Sequence, residues 1–210
     1  MGLRDYKEFG EGSYYHIYNR GNGKNNIFLD KADFRFFIFK LRQNLFPELV
    51  TIKPERIRSN PLPKDSFTLI NYCLMPNHFH LLLQQNSKIP TSKLMLKVCT
   101  SYSKYFNKKY QKVGHIFQDQ FKQILIENNS YLIWLSAYIH QNPRVAGLVK
   151  NISDYEWSSY PDHIDSRKDD LCNKSVILDQ FKNLREYKEF VESTYEIIKE
   201  KKDLEKLLLD

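Results

Sequence analysis

Cysteine is scarce in this chain of 210 residues, and the three present, Cys73, Cys99 and Cys172, lie far apart. An odd, scattered set builds neither a disulfide framework nor a zinc ribbon, and it suits a reducing compartment. Long apolar runs are missing too, and no stretch approaches the roughly 20 residues that a membrane-spanning helix needs. The opening stretch Met1-Gly-Leu-Arg-Asp-Tyr-Lys7 holds no apolar core of a secretion signal, and Tyr6 stands where a myristoylation pattern needs Ser or Thr. The expectation is a cytoplasmic protein with no membrane partner. No internal repeat or low-complexity tract stands out.

Aromatic residues, in contrast, are abundant. They make up 14% of the chain, with 14 Tyr and 14 Phe, within a hydrophobic share of 41% that is enough for a core. Lys and Arg total 32 against 25 Asp and Glu, a formal charge of +7. That balance favours a polyanionic partner such as nucleic acid, and tyrosines among basic residues suit stacking on unpaired bases. Most of the aromatics, taken one by one, also fit a core.

Periodicity lays out the elements. Tyr14 to Arg20 is aromatic and β-favouring, a first strand, and the polar loop Gly21-Asn-Gly-Lys-Asn-Asn26 breaks it. Asp30 is placed to cap a helix carrying Phe34, Phe37, Ile38 and Leu41 on one face, which fades near Phe46-Pro47. Residues 48–66 read as loop. Phe67 to Leu74 and His78 to Gln85 read as an antiparallel pair around a short link. A helix follows from Thr91 to about Tyr110, dense in lysine, and either lies along a nucleic-acid backbone or presents a solvated face. Gly114 to Ile126 is extended, a fourth strand or a bent hairpin. Asn128 or Ser130 caps a helix from about Tyr131 to Asn142, which Pro143 is expected to close. Residues 161–174 read as a linker, and the chain is helical again from Ser175. The order gives an α+β fold, a ferredoxin-like split β-α-β antiparallel sheet with helices on one face. The boundaries expected are a catalytic domain over 1–160 and a linker with a C-terminal helical extension over 161–210. The second sheet face is expected to be free for a site.

Two places carry chemistry. In Tyr72-Cys-Leu-Met-Pro-Asn-His-Phe-His-Leu-Leu-Leu83 the imidazoles of His78 and His80 point to the same face of a strand, where two neutral nitrogens can share one divalent metal. A strand with two half-exposed histidines reads the same way. On the later helix Tyr138 and Asn142 are vertical neighbours. A phenol and an amide oxygen one turn apart suit a nucleophile beside a hard metal ligand, though a boundary tyrosine needs no such role.

Together these stretches resemble a known family. Tyr72 to Leu83 is similar to the HUH segment of single-tyrosine transposases, and Tyr138-Ile-His-Gln-Asn-Pro-Arg-Val-Ala-Gly-Leu-Val149 to their catalytic-tyrosine segment. Asn19-Arg-Gly21, Ile27-Phe28, Phe117-Gln118 and Trp157-Ser-Ser-Tyr160 match as well, so the likeness runs over about residues 12–161. The nearest branch is the REP-associated tyrosine transposases. The resemblance implies a transposase that cleaves single-stranded DNA beside hairpins and transfers the strand through a covalent 5′-phosphotyrosine, using Mg²⁺ or Mn²⁺. It implies Tyr138 as nucleophile and His78, His80 and Asn142 as metal ligands. Arg20, Lys24, Lys97, Lys104 and Arg144 are candidates for DNA contact. The chain departs from the family at Arg144-Val145, where the usual order is reversed. Monomer and homodimer both stay open, as does the use of Tyr138 within its own subunit or across to a partner. The alternative is a non-catalytic single-stranded nucleic-acid binder of ferredoxin-like fold.

Overall fold

In the computed structural model six elements follow in the expected order: β1 (Tyr14–Arg20), α1 (Lys31–Leu45), β2 (Phe67–Met75), β3 (His78–Gln85), α2 (Thr91–Tyr110) and β4 (Lys122–Ile126). The structure describes residues 10–49 and 61–207; most of the expected 48–66 loop lies outside the described residues. The strands form one antiparallel sheet in the order β2-β3-β1-β4, the ferredoxin-like arrangement.

Local chemistry accounts for the starts and stops. Asp30 accepts hydrogen bonds from the Ala32 and Asp33 amides, and the Asp33 carboxylate accepts from the Asp30 amide, which closes a capping box at the start of α1. Phe34, Phe37, Leu41 and Leu45 of α1 then pack with Leu94, Met95, Val98, Tyr102 and Phe106 of α2 against one sheet face. The fourth strand is shorter than the extended stretch expected from Gly114. Only Lys122–Ile126 pairs with β1, and the chain before it meets the sheet through the bridge Gly21–Phe117, the Asn19 side-chain amide donating to the Asp119 carbonyl and the Phe117 ring against Phe79.

The second sheet face is not left open, contrary to expectation. It carries α3 (Asn129–Val145), α4 (Tyr160–His163), α5 (Ser175–Leu178), α6 (Leu184–Ser193) and α7 (Tyr195–Leu207). Leu132, Leu135, Ala137 and Ile139 of α3 meet Ile70, Cys73, Met75 and Leu82 of the sheet in a second core, which Ile177, Tyr187 and Val191 complete from the C-terminal helices. Apolar sheet residues on that side need cover, and residues after 160 supply part of it. No described helix is long and apolar enough to cross a membrane.

Pro143 does not end α3. The helix runs on to Val145 and stops at Gly147, whose φ is 72°. The Leu148 amide donates to the Pro143 carbonyl and the Gly147 amide to that of Arg144, each at 2.9 Å, a Schellman closure. A proline in the last turn loses one backbone hydrogen bond, and these two cap bonds offset it.

Candidate active site

Strand register builds the floor of the site. Pairing sets Tyr18 opposite His80, Arg20 opposite His78 and Lys122 opposite Tyr18. Residues directly opposite one another share a face, so His16, Tyr18 and Arg20 of β1 lie on the same surface as His78 and His80. The chain thereby brings a third imidazole to the two expected ones. His16 Nε2 and His80 Nδ1 are 2.9 Å apart, with both residues buried.

Helix α3 forms the wall. Its apolar stripe rests on the sheet, which turns the flank carrying Tyr131, Trp134 and Tyr138 along the edge of the imidazole row. The Tyr138 ring stands edge-on to His80 at 5.8 Å and to His16 at 6.5 Å between centroids. Both histidines belong to the same chain as Tyr138. Trp134 stacks on Tyr138 at 5.4 Å and on Tyr131 at 6.1 Å, a ladder of near-parallel rings.

Helix α7 supplies the roof. The Lys202 ammonium donates to Asn142 Oδ1 at 2.7 Å and lies 5.6 Å from the centre of the Tyr138 ring. The Asn142 amide nitrogen donates back to the Tyr138 carbonyl at 2.9 Å, which locks the side chain across one helical turn. Lys201 Nζ lies 5.9 Å from the Trp134 ring. Between floor, wall and roof is a cleft of 330 Å³.

The electrostatics keep the imidazoles neutral. Burial pushes His16 down to about 4. Burial, then the nearby Lys202 and Arg20 charges, lowers His78 to about 4. His80 falls well below the ordinary histidine value because it is buried and faces His78, His16 and Lys202. Neutral imidazole is the form that donates a lone pair to a metal.

The two imidazoles are spaced to share a divalent ion. Rings sharing one ion at about 2.1 Å from each nitrogen have centres roughly 5 Å apart, and the His78 and His80 centroids are 5.0 Å apart. His78 Nδ1 donates to Asn77 Oδ1 at 2.6 Å, which leaves Nε2 for a ligand. His80 has the same option when its Nδ1 carries the proton toward His16. The Asn142 oxygen is occupied by the Lys202 ammonium, which a metal ion bound there would displace. Among the described residues no group of three or more His, Cys, Asp or Glu is placed to hold a metal, so the candidate set is two imidazoles and an amide.

The remaining expected residues are spread out. Arg20 and Lys24 are exposed, and Arg20 ends the strand beside His78. Lys97 and Lys104 lie on α2, in the layer across the sheet from the imidazoles. Arg144 pairs with Glu192 at 2.6 Å and stacks on Tyr195 with its guanidinium carbon 3.9 Å from the ring centre. His16, Trp134, Lys201 and Lys202 were not singled out by sequence. Trp134 could have been, since at about 100° per residue it falls on the flank of Tyr131 and Tyr138. For Lys202 no local signal exists.

Comparison with known proteins completes the picture. The model of a family described as transposase IS200 like matches residues 34–142. A Haemophilus influenzae protein named as a REP-associated tyrosine transposase is 29% identical over 106 residues, which cover 45% of this chain. The chain spans 59% of that relative's length. A solved structure of a REP-associated tyrosine transposase bound to a REP hairpin superposes with a TM-score of 0.54 at 17% identity. That match covers 84% of this chain and 96% of the other, and it shows a shared fold.

Proposed function

Because this chain belongs to the IS200-like transposase family, we propose that it cleaves and rejoins single-stranded DNA beside hairpins through a covalent 5′-phosphotyrosine on Tyr138. The observation that carries the reading is the position of the Tyr138 ring, facing two neutral, buried imidazoles of its own chain. The solved relative holds a REP hairpin, and structured single strands of that kind are the substrate class proposed for this chain.

The step is a transesterification. The Tyr138 oxygen forms a bond to phosphorus, the bond from phosphorus to the 3′ oxygen breaks, and the departing strand takes up a proton as a 3′ hydroxyl. A second 3′ hydroxyl reverses the step and completes strand transfer, so the bond energy stays in the phosphotyrosine and no nucleotide cofactor is needed. A phenol with an ordinary pKa near ~10 is mostly protonated at neutral pH. The Lys202 ammonium stands 5.6 Å from the centre of the Tyr138 ring. His78, His80 and Asn142 would hold Mg²⁺ or Mn²⁺, which supplies charge withdrawal at a non-bridging phosphate oxygen. His16 holds the His80 ring in place. Of the basic residues, Arg20 and Lys24, exposed at the end of β1 beside His78 and in the loop after it, provide charge for the DNA backbone at this site, while Lys97 and Lys104 lie across the sheet and Arg144 is engaged by Glu192.

The test is denaturing electrophoresis of the protein mixed with Mn²⁺ and labelled single-stranded hairpin DNA taken from beside its own gene. A protein–DNA band that survives boiling in detergent is expected for the native chain and for Tyr131→Phe, and is expected to vanish in Tyr138→Phe. Both substitutions remove one hydroxyl and leave the ring contacts. A persistent band in Tyr138→Phe would mean the nucleophile is another residue. Hairpin binding with no band and no metal requirement would instead identify a binder without chemistry.

A further inference from the structure

The cleft extends beyond the reacting groups. Past Tyr138 it continues along α3 to Trp134 and Tyr131, and Leu135 and the buried Ile198 close its apolar end. None of these four side chains bears on phosphate chemistry. Three near-parallel aromatic rings, at 14° and 19° to one another, nonetheless run from the expected nucleophile into this space. Trp134 and Tyr131 are only partly buried and present area to it. Ammonium groups stand at the rim, with Lys201 Nζ 5.9 Å from the Trp134 ring and Lys202 Nζ 5.6 Å from that of Tyr138.

We infer that the Trp134 face of this cleft is a stacking slot for one unpaired nucleobase, that of a nucleotide flanking the phosphate attacked by Tyr138. The inference rests on the proposed reading of Tyr138 and adds to it the base that positions the strand. Aromatic faces take a flat π-system of any base, and the ammonium of Lys201 suits the phosphate that accompanies it. Scale agrees as well. Trp134 precedes Tyr138 by about one helical turn, roughly 5.4 Å, comparable to the distance from a phosphate to its own base. A base held there fixes the adjacent phosphodiester along the line of attack, which converts binding into orientation. The slot selects unpaired nucleotides, since a paired base has both faces occupied by its neighbours.

The experiment places 2-aminopurine at each single-stranded position beside the hairpin in turn and reads its fluorescence with the full chain in EDTA, so that no cleavage occurs. Quenching is expected at one position with the native chain and with Trp134→Phe, and is expected to be lost in Trp134→Leu. An abasic nucleotide at that position should weaken binding by the native chain about 5- to 100-fold. It should have almost no further effect on Trp134→Leu, because the partner is already gone. Circular dichroism of both variants checks that they fold. Absence of a quenched position, quenching that survives in Trp134→Leu, or an equal abasic penalty in both proteins would overturn the slot. The covalent band is scored separately. A band on Tyr138 without quenching refutes the slot and leaves the reaction standing, whereas quenching without a band refutes the reaction and the slot's positioning role with it, leaving base stacking on Trp134 alone.

Discussion

Removing the His16 imidazole should loosen the proposed metal site without touching a proposed ligand. In the folded chain His16 Nε2 meets His80 Nδ1 at 2.9 Å in a buried setting, and its ring stacks on Tyr18 at 4.9 Å and on His80 at 5.1 Å. His16→Ala leaves the His80 nitrogen buried and unpaired, which costs about 1–3 kcal/mol. It also frees the ring to turn. Loss of a partner that orients a metal-bound histidine typically weakens metal affinity by about 10- to 100-fold. His16→Gln offers an amide oxygen near the lost nitrogen and should recover part of both effects. The assay is formation of the covalent Tyr138–DNA band against Mn²⁺ concentration, with circular dichroism as the check on folding. His16→Ala should raise the Mn²⁺ midpoint by one to two decades and return to the native plateau at saturation. An unchanged midpoint in a folded variant refutes the orienting role. A plateau that stays low at every Mn²⁺ concentration refutes it too, since His16 would then act on Tyr138 or on DNA.

Two further outcomes follow from buried charge and its avoidance. Burial pushes His16 and His163 down from 6.5 to about 4, so between those values the unfolded chain binds more protons than the folded one. Their stability contribution is complete above pH 6.5 and is lost as pH falls through 4, at up to ~3 kcal/mol for each group by the usual 1.4 kcal/mol per unit. Urea unfolding between pH 7 and 4 followed by tryptophan fluorescence should show that decline, and a flat profile would contradict it. Arg167 donates to Asp162 Oδ2 at 2.5 Å, to the Ser158 carbonyl at 2.6 Å and to the Tyr72 hydroxyl at 3.0 Å, and only 4% of the Asp162 side chain is exposed. Arg167→Met strands that carboxylate and should cost roughly 3 kcal/mol in thermal or urea unfolding. The double variant Arg167→Met/Asp162→Leu should cost less than the single one, and a greater loss in the double would show that the pair itself stabilises the fold.

Local signals in the sequence were enough for the elements and for the places of His78, His80, Tyr138 and Asn142 on them. The alternation around His78-Phe79-His80 places both imidazoles on one face, and the structure has β3 over His78–Gln85 as read. Asp30 announces α1 because a side-chain oxygen there satisfies amides that the helix leaves open. The Tyr138–Asn142 spacing puts phenol and amide one turn apart whatever surrounds them. Pro143 misled, because a proline forbids its own amide bond but does not decide where the next residues cap, and Gly147 does that.

What only the tertiary structure decided is who else reaches the site and what covers it. His16 lies 64 positions before His80, and their contact exists because β1 pairs with β3 in one register; a slip of one residue would turn His16 to the opposite face. Lys202 comes 60 positions after Asn142 and meets it because α7 packs on α3. Periodicity is a property of neighbours along the chain and is blind to both. The covered second face has the same origin. Alternation reveals that Cys73, Met75 and Leu82 need burial, but it does not say that residues beyond 160 would provide it. The sequence therefore determined the spacing of the candidate residues and the sheet that holds them. The packing of distant segments determined the third imidazole, the ammonium over the phenol and the aromatic cleft beside them.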